Sequence, residues 1–263
     1  MFAGASRLAF PPSLGFAAGF RLATSRYAAI KPRIRTSTAT FSSAARLQYL
    51  DMDDRMNEGL ILQHQLQDAG HEKWGFAIFR CTYADDAAWR RFMAIVNTRT
   101  RASLEYYGTP ELLHSLEWSV QEDPSSLDGA GTDVVRRRFA EWVAGAMRRE
   151  ANASRGFATR FQYCLHVDAA ALKSVVHDAP QPPDPDLGNV GFVNVVDLDW
   201  EEAPVPEEGG QPEDEPEIEG KRSFDVGFMR VPVDGLAPWA YSMLAESGGW
   251  QIWYVRPPGV VEP

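Results

Sequence analysis

The stretch Arg160-Phe161-Gln162-Tyr163-Cys164-Leu165-His166-Val167-Asp168 decides how the rest of the chain is read. Phe161, Tyr163, Leu165 and Val167 fall on one side of an extended backbone, and Arg160, Gln162, Cys164, His166 and Asp168 fall on the other. Alternation with a period of two is the pattern of a strand with one face packed and one face polar. On the polar face Cys164, His166 and Asp168 project together, a spacing that sets a base beside a carboxylate able to orient it. His166 and Asp168 are therefore the candidate catalytic pair, and Cys164 is a candidate ligand-binding neighbour. Positions two apart on a strand are about 6–7 Å apart at the backbone, so the competing reading is a solvated or cross-strand-paired polar face.

Outward from this strand, the chain alternates strand and helix patterns. Residues 74–83 are rich in aromatic and branched side chains and read as a strand. Asp85 then caps a helix in which Trp89, Phe92, Met93 and Val96 recur at helical spacing, with Gly108 and Pro110 ending it. A second strand is expected over 115–121. A second helix follows with Thr132 as its cap and Val135, Phe139, Trp142 and Val143 on one face. Beyond Asp168 the sequence predicts a short helix at 169–176, a Pro-rich loop at 179–185 and a strand at 190–200. A strand at 224–231, a short helix at 238–244 and a terminal strand at 250–255 complete it. Half-polar strands argue against a doubly wound parallel sheet covered on both sides. The expectation is an α+β fold, a mixed or antiparallel sheet with helices mainly on one face, of which an elaborated ferredoxin-like arrangement is one form. Residues 74–263 form one such domain, and 51–73 are a linker or a short helix.

Charge is unevenly placed. The 263 residues carry 26 Lys+Arg against 36 Asp+Glu, a formal charge of −10. Residues 1–50 nevertheless hold seven basic residues, ten Ser/Thr and no acid. An Arg- and Ser-rich segment without acids has the composition of a mitochondrial transit peptide. A secretory signal and a plain disordered tail are the alternatives. If the chain were secreted, Asn152-Ala153-Ser154 would be a glycosylation acceptor. Without the leader the remainder carries a formal charge of −17, which disfavours nucleic-acid phosphate as a partner. The run Arg136-Arg137-Arg138 reads as a solvated helix face. No apolar run is long enough to span a membrane. Residues 201–220 hold nine acids, four prolines and no base, too little apolar surface to offset their ordering entropy, so a mobile insertion is expected there.

Common catalytic signatures are absent: the chain has no GxGxxG, phosphate-binding loop ending in Gly-Lys-Ser/Thr, HExxH, EF-hand loop or GxSxG. Nothing in the spacing of its five histidines and two cysteines points to a metal, and no motif implies a cofactor. Cys81 and Cys164 read as buried free thiols, with a disulfide open to them only if their strands are neighbours. Arg80 and Arg230, each ending a strand beside aromatic residues, are candidate ligand-binding residues because a guanidinium offers a planar fork to carboxylate or phosphate. The alternative is pairing with the surplus acids.

The runs starting at Trp74, Leu104-Glu105-Tyr106-Tyr107, Arg137 to Trp142, Phe161 to Asp168, Asp225 to Val231 and Arg256-Pro257-Pro258 together resemble a family of uncharacterised proteins of filamentous fungi. The resemblance spans essentially all of 74–263 and implies a single eukaryotic domain. It implies no activity, cofactor or residue role. From the residues, the leading expectation is a domain that binds a small ligand or protein partner through the polar sheet face. The alternative is a small hydrolase or transferase acting on an anionic substrate with His166 as general base.

Overall fold

The computed structural model describes residues 57–150, 159–202 and 216–263. The basic leader, the Asn152 acceptor and most of the acidic insertion lie outside these residues. Helix α1 (Glu58–Ala69) starts at Asn57, whose side chain accepts from the Leu60 N–H, and stops at Gly70 in the left-handed region at φ 66°. Its Leu62 is fully buried in the core, so this segment is part of the folded body.

Strand β1 (Ala77–Arg80) leads through Asp85 into α2 (Asp86–Tyr106), and the Asp85 carboxylate accepts from the N–H groups of Ala87 and Ala88 as expected for a cap. Strand β2 (Ser119–Gln121), the single turn α3 (Pro124–Leu127) and α4 (Thr132–Arg149) follow. One helical turn, α5 (Thr159–Gln162), delivers the chain into β3 (Tyr163–Val167), and α6 (Ala169–Lys173) continues as a wider turn at Ser174–Asp178. Strands β4 (Phe192–Asp197) and β5 (Phe228–Pro232) precede two short helices, α7 (Tyr241–Ala245) and α8 (Gly249–Trp253).

The five strands form one mixed sheet in the order β2-β1-β3-β4-β5, with β2, β1 and β3 parallel and β4 and β5 antiparallel to their neighbours. This is the α+β class with a mixed sheet. Three adjacent parallel strands do not make the split βαβ layout of a ferredoxin-like sheet.

The connectivity explains which faces are covered. β2 and β3 lie on opposite sides of β1, so right-handed crossovers carry the intervening helices to opposite faces of the sheet. Trp89, Phe92 and Val96 of α2 accordingly join Ile78, Leu165, Val195 and Met229 in one core, together with residues of α1, α6, α7 and α8. Val135, Phe139, Val143 and Ala146 of α4 join Ala77, Phe79, Cys164, Val196 and Phe228 in a second core. Most helices lie on the first face, but the second is covered too. The alternation of β3 is as expected, with Tyr163, Leu165 and Val167 in the first core; the expectation that its other face stays open and polar is corrected. All five residues of β3 are buried, because α4 lies across the Cys164 side.

Two further expectations change. Residues 160–162 belong to a helical turn rather than to the strand, because Arg160 is drawn into a buried set of contacts. It is 1% exposed, its guanidinium reaches both Glu117 and Glu150 at 2.9 Å, and it donates to the carbonyl of Gly75 at 3.0 Å. The terminal segment is the helix α8, not a strand. Gly248 at φ 76° turns the chain, and Trp250 then stacks on Tyr163 with ring centroids 5.6 Å apart. Trp250, Trp253 and Tyr254 have a spacing that suits a helix as well as an apolar strand, and this stacking decides for the helix.

Candidate functional site

The second face carries a row of directly opposed residues: Gln121, Phe79, His166, Asn194 and Arg230 on β2, β1, β3, β4 and β5. One step back along the strands lie Ala77, Cys164, Val196 and Phe228, packed under α4. The polar residues of β3 therefore sit at the end of this face, where the α4 covering begins.

A crevice of about 360 Å³ opens there, at the carboxyl ends of β1 and β3, lined by Thr82, Asp128, Ala130, His166, Asp168 and Glu219, among others. The chain leaving β2 turns to the second face through Gly129-Ala130-Gly131, while the chains leaving β1 and β3 turn to the first. Diverging connections at the carboxyl end of parallel strands leave such a gap, the usual ligand position in open sheets of this kind.

His166 is 2% exposed. Its Nε2 lies 2.9 Å from the Ala130 carbonyl oxygen, which can only accept, so Nε2 carries the hydrogen and donates. Nδ1 is then the acceptor and faces the Asn194 amide at 3.4 Å. Burial lowers the pKa of the imidazole below its ordinary value, with the charge of Asp168 acting in the opposite sense. The ring is neutral at pH 7 and matched on both sides; it holds the Gly129–Gly131 loop against the sheet.

Asp168 does not hydrogen-bond to His166. Its carboxylate accepts from the Ala171 N–H at 2.7 Å and caps α6. Glu219 does the same for α4, accepting from the backbone N–H of Thr132 at 2.9 Å and from its hydroxyl. Cys81 lines the crevice, but burial, reinforced by Asp168, Asp128 and Glu219, pushes its thiol up to about 12. Cys164 is fully buried and its thiol is raised well above the ordinary range, so it faces no ligand. Both cysteines are free.

The two arginines separate. Arg230 shares the row with His166; it lies over the Phe192 ring at 4.2 Å, donates to the Pro258 carbonyl at 3.1 Å and feels the charge of Asp168. Arg80 is on the opposite face, 6% exposed, paired with Asp86 and Glu122 and lying over Tyr83 and Trp89. The structure thus brings His166, Asp168 and Arg230 to one end of the sheet and leaves Arg80 out. Arg136 is not a solvated cation either: it donates to the carbonyls of Asp197 at 2.8 Å and Gly227 at 3.0 Å, while Arg137 and Arg138 are exposed.

Glu219, Asn194 and the Gly129–Gly131 loop were not singled out by sequence reasoning. The Asp128-Gly129-Ala130-Gly131-Thr132 run was the available signal, since glycines before a helix start let backbone groups crowd together. Among the described residues no group of three or more His, Cys, Asp or Glu side chains converges to hold a metal ion, and no helix is long and apolar enough to cross a membrane. Fold and site together define a mixed-sheet α+β domain with an acid-rimmed crevice at the carboxyl end of its parallel strands. No family model, curated protein or solved structure matches the chain.

Proposed function

We propose that this chain is a binding domain, and that it takes a small polar ligand, or a polar group of a protein partner, into the crevice beside His166. The observation that carries this reading is a gap of about 360 Å³, a size typical of ligand pockets, whose one histidine is already hydrogen-bonded on both ring nitrogens. Asp128, Asp168 and Glu219 line it without a lysine or arginine, so it favours neutral, hydrogen-bond-donating ligands over phosphates.

The alternative reading, a hydrolase or transferase with His166 as base on an anionic substrate, has less support. The imidazole lone pair faces Asn194, the Asp168 carboxylate serves as a helix cap, and Arg80 lies on the other face. The mitochondrial address and the kinship to filamentous-fungal proteins are proposals on the same footing, resting on the composition of 1–50 and on the quoted motifs. Amino-terminal sequencing of the native protein tests the address.

The binding reading is tested by passing a pool of small molecules over the full chain and over Ala169→Trp, which fills the mouth of the crevice from an exposed position. Compounds retained by the native chain and lost with the variant, at unchanged melting temperature, are the expected result. Equal retention by both chains, or none by either, contradicts it.

A further inference from the structure

At the other end of β3, on the first face, Asp197 of β4 sits directly across from Tyr163. The two help line a separate cavity of about 220 Å³, together with Gln162, Glu246, Gly249 and Trp250. Its aromatic wall is rigid: the Tyr163 and Trp250 rings stack at 5.6 Å with 9° between planes, and the indole N–H is anchored on Asp225 at 2.7 Å.

Asp197 is 8% exposed, yet no cation pairs with its carboxylate among the described residues. Oδ1 accepts from the Asp199 N–H at 3.1 Å, and the carboxylate, with no other hydrogen bond to the described residues, lines the cavity. Arg136, the arginine bonded to this residue, is committed to its backbone carbonyl. A buried carboxylate without a counter-ion is costly, and a cation delivered by a ligand would relieve that cost. The surroundings add to the demand for positive charge. Asp199 follows on the chain, Asp225 and Glu246 come from the segments packed above, and Arg136 is the opposing charge; Tyr163 ionises only far above neutrality.

We propose that this cavity binds a small organic cation, an ammonium or guanidinium group carried on a few heavy atoms, with its N–H groups on the Asp197 carboxylate. The proposal is independent of the crevice beside His166. A volume of 220 Å³ equals about seven water molecules, which suits a compact amine and not a nucleotide. The same carboxyl is pushed up to about 6 by burial and by Asp199 and Asp225, so ligand binding should weaken as the pH falls through that value.

The test is titration of the full chain with n-butylammonium chloride and, separately, with millimolar guanidinium chloride against matched sodium chloride, followed by tryptophan fluorescence and calorimetry. A saturable response to either cation at pH 8 is expected, at least tenfold weaker at pH 5 and at least tenfold weaker in Asp197→Asn. Ser247→Arg, an exposed change at the rim that brings a competing guanidinium, should abolish it while leaving the melting temperature unchanged. No saturable response to either cation, or one that survives in Asp197→Asn or Ser247→Arg, overturns the proposal.

Discussion

His166 and Asp197 are both buried titratable groups, and they shape acid stability in opposite senses. Burial lowers the His166 pKa, so its contribution is complete above the unfolded value near 6.5 and is lost as the pH falls through the lower folded value. His166→Gln removes this term: in urea melts at pH 7 and pH 5, the native chain should lose more stability on acidification than the variant does. Asp197 is raised from 3.8 to about 6, so its favourable contribution is present below the unfolded value and is lost as the pH rises through about 6. At pH 7 the ionised form costs the fold about 3 kcal/mol as an upper estimate. Asp197→Asn should therefore be more stable than the native chain at pH 7 and nearly equal to it at pH 4, by the same melts. Arg160 has the opposite character, a buried cation whose partners are all in place. Arg160→Met leaves Glu150 and Glu117 without it and should cost about 3–5 kcal/mol, read as a fall in the urea midpoint. The sequence marked Arg160 as a polar-face strand residue; the glutamates it meets, Glu117 and Glu150, are 43 and 10 positions away, and no local pattern announces such a meeting.

At the scale of elements, α4 determines what the polar side of β3 can do. Its Phe139 packs edge-on against Phe79 at 6.2 Å and is stacked with Trp142 at 5.8 Å, within the core that encloses Cys164. Phe139→Ala should cost about 3–5 kcal/mol and should raise the reactivity of Cys164 toward a thiol reagent, whereas native Cys164 stays unreacted until unfolding; mass mapping of the modified cysteine checks both. The apolar stripe of α4 and the alternation of β3 were each legible in the sequence, as was the cap at Asp85; the cap at Asp168 was not, and α4 is capped at Gly131 instead of Thr132, which is its first residue. That the stripe packs on the Cys164 side was not, because local periodicity says which residues face a core and nothing about which core. The helix at 249–253 shows the same limit: closely spaced rings suit either element until their partner, here Tyr163, is known.

For the molecule as a whole, strand order does what residue patterns cannot. Placing β2 and β3 on either side of β1 sends α2 and α4 to opposite faces, which closes the second face and leaves a gap only where the connections diverge. The mixed α+β character and the acid surplus were readable from the sequence; the crevice, which depends on four distant segments meeting, was not. His166 is enclosed and hydrogen-bonded on both ring nitrogens, so it positions a loop at the crevice instead of acting as a free base. Nitrogen-15 NMR of the histidine side chains across pH 4–8 reads this protonation state. His166 should remain neutral at pH 7 with hydrogen on Nε2 and titrate below its ordinary value of 6.5. An imidazole that titrates at or above that value, or that carries its hydrogen on Nδ1, would contradict it.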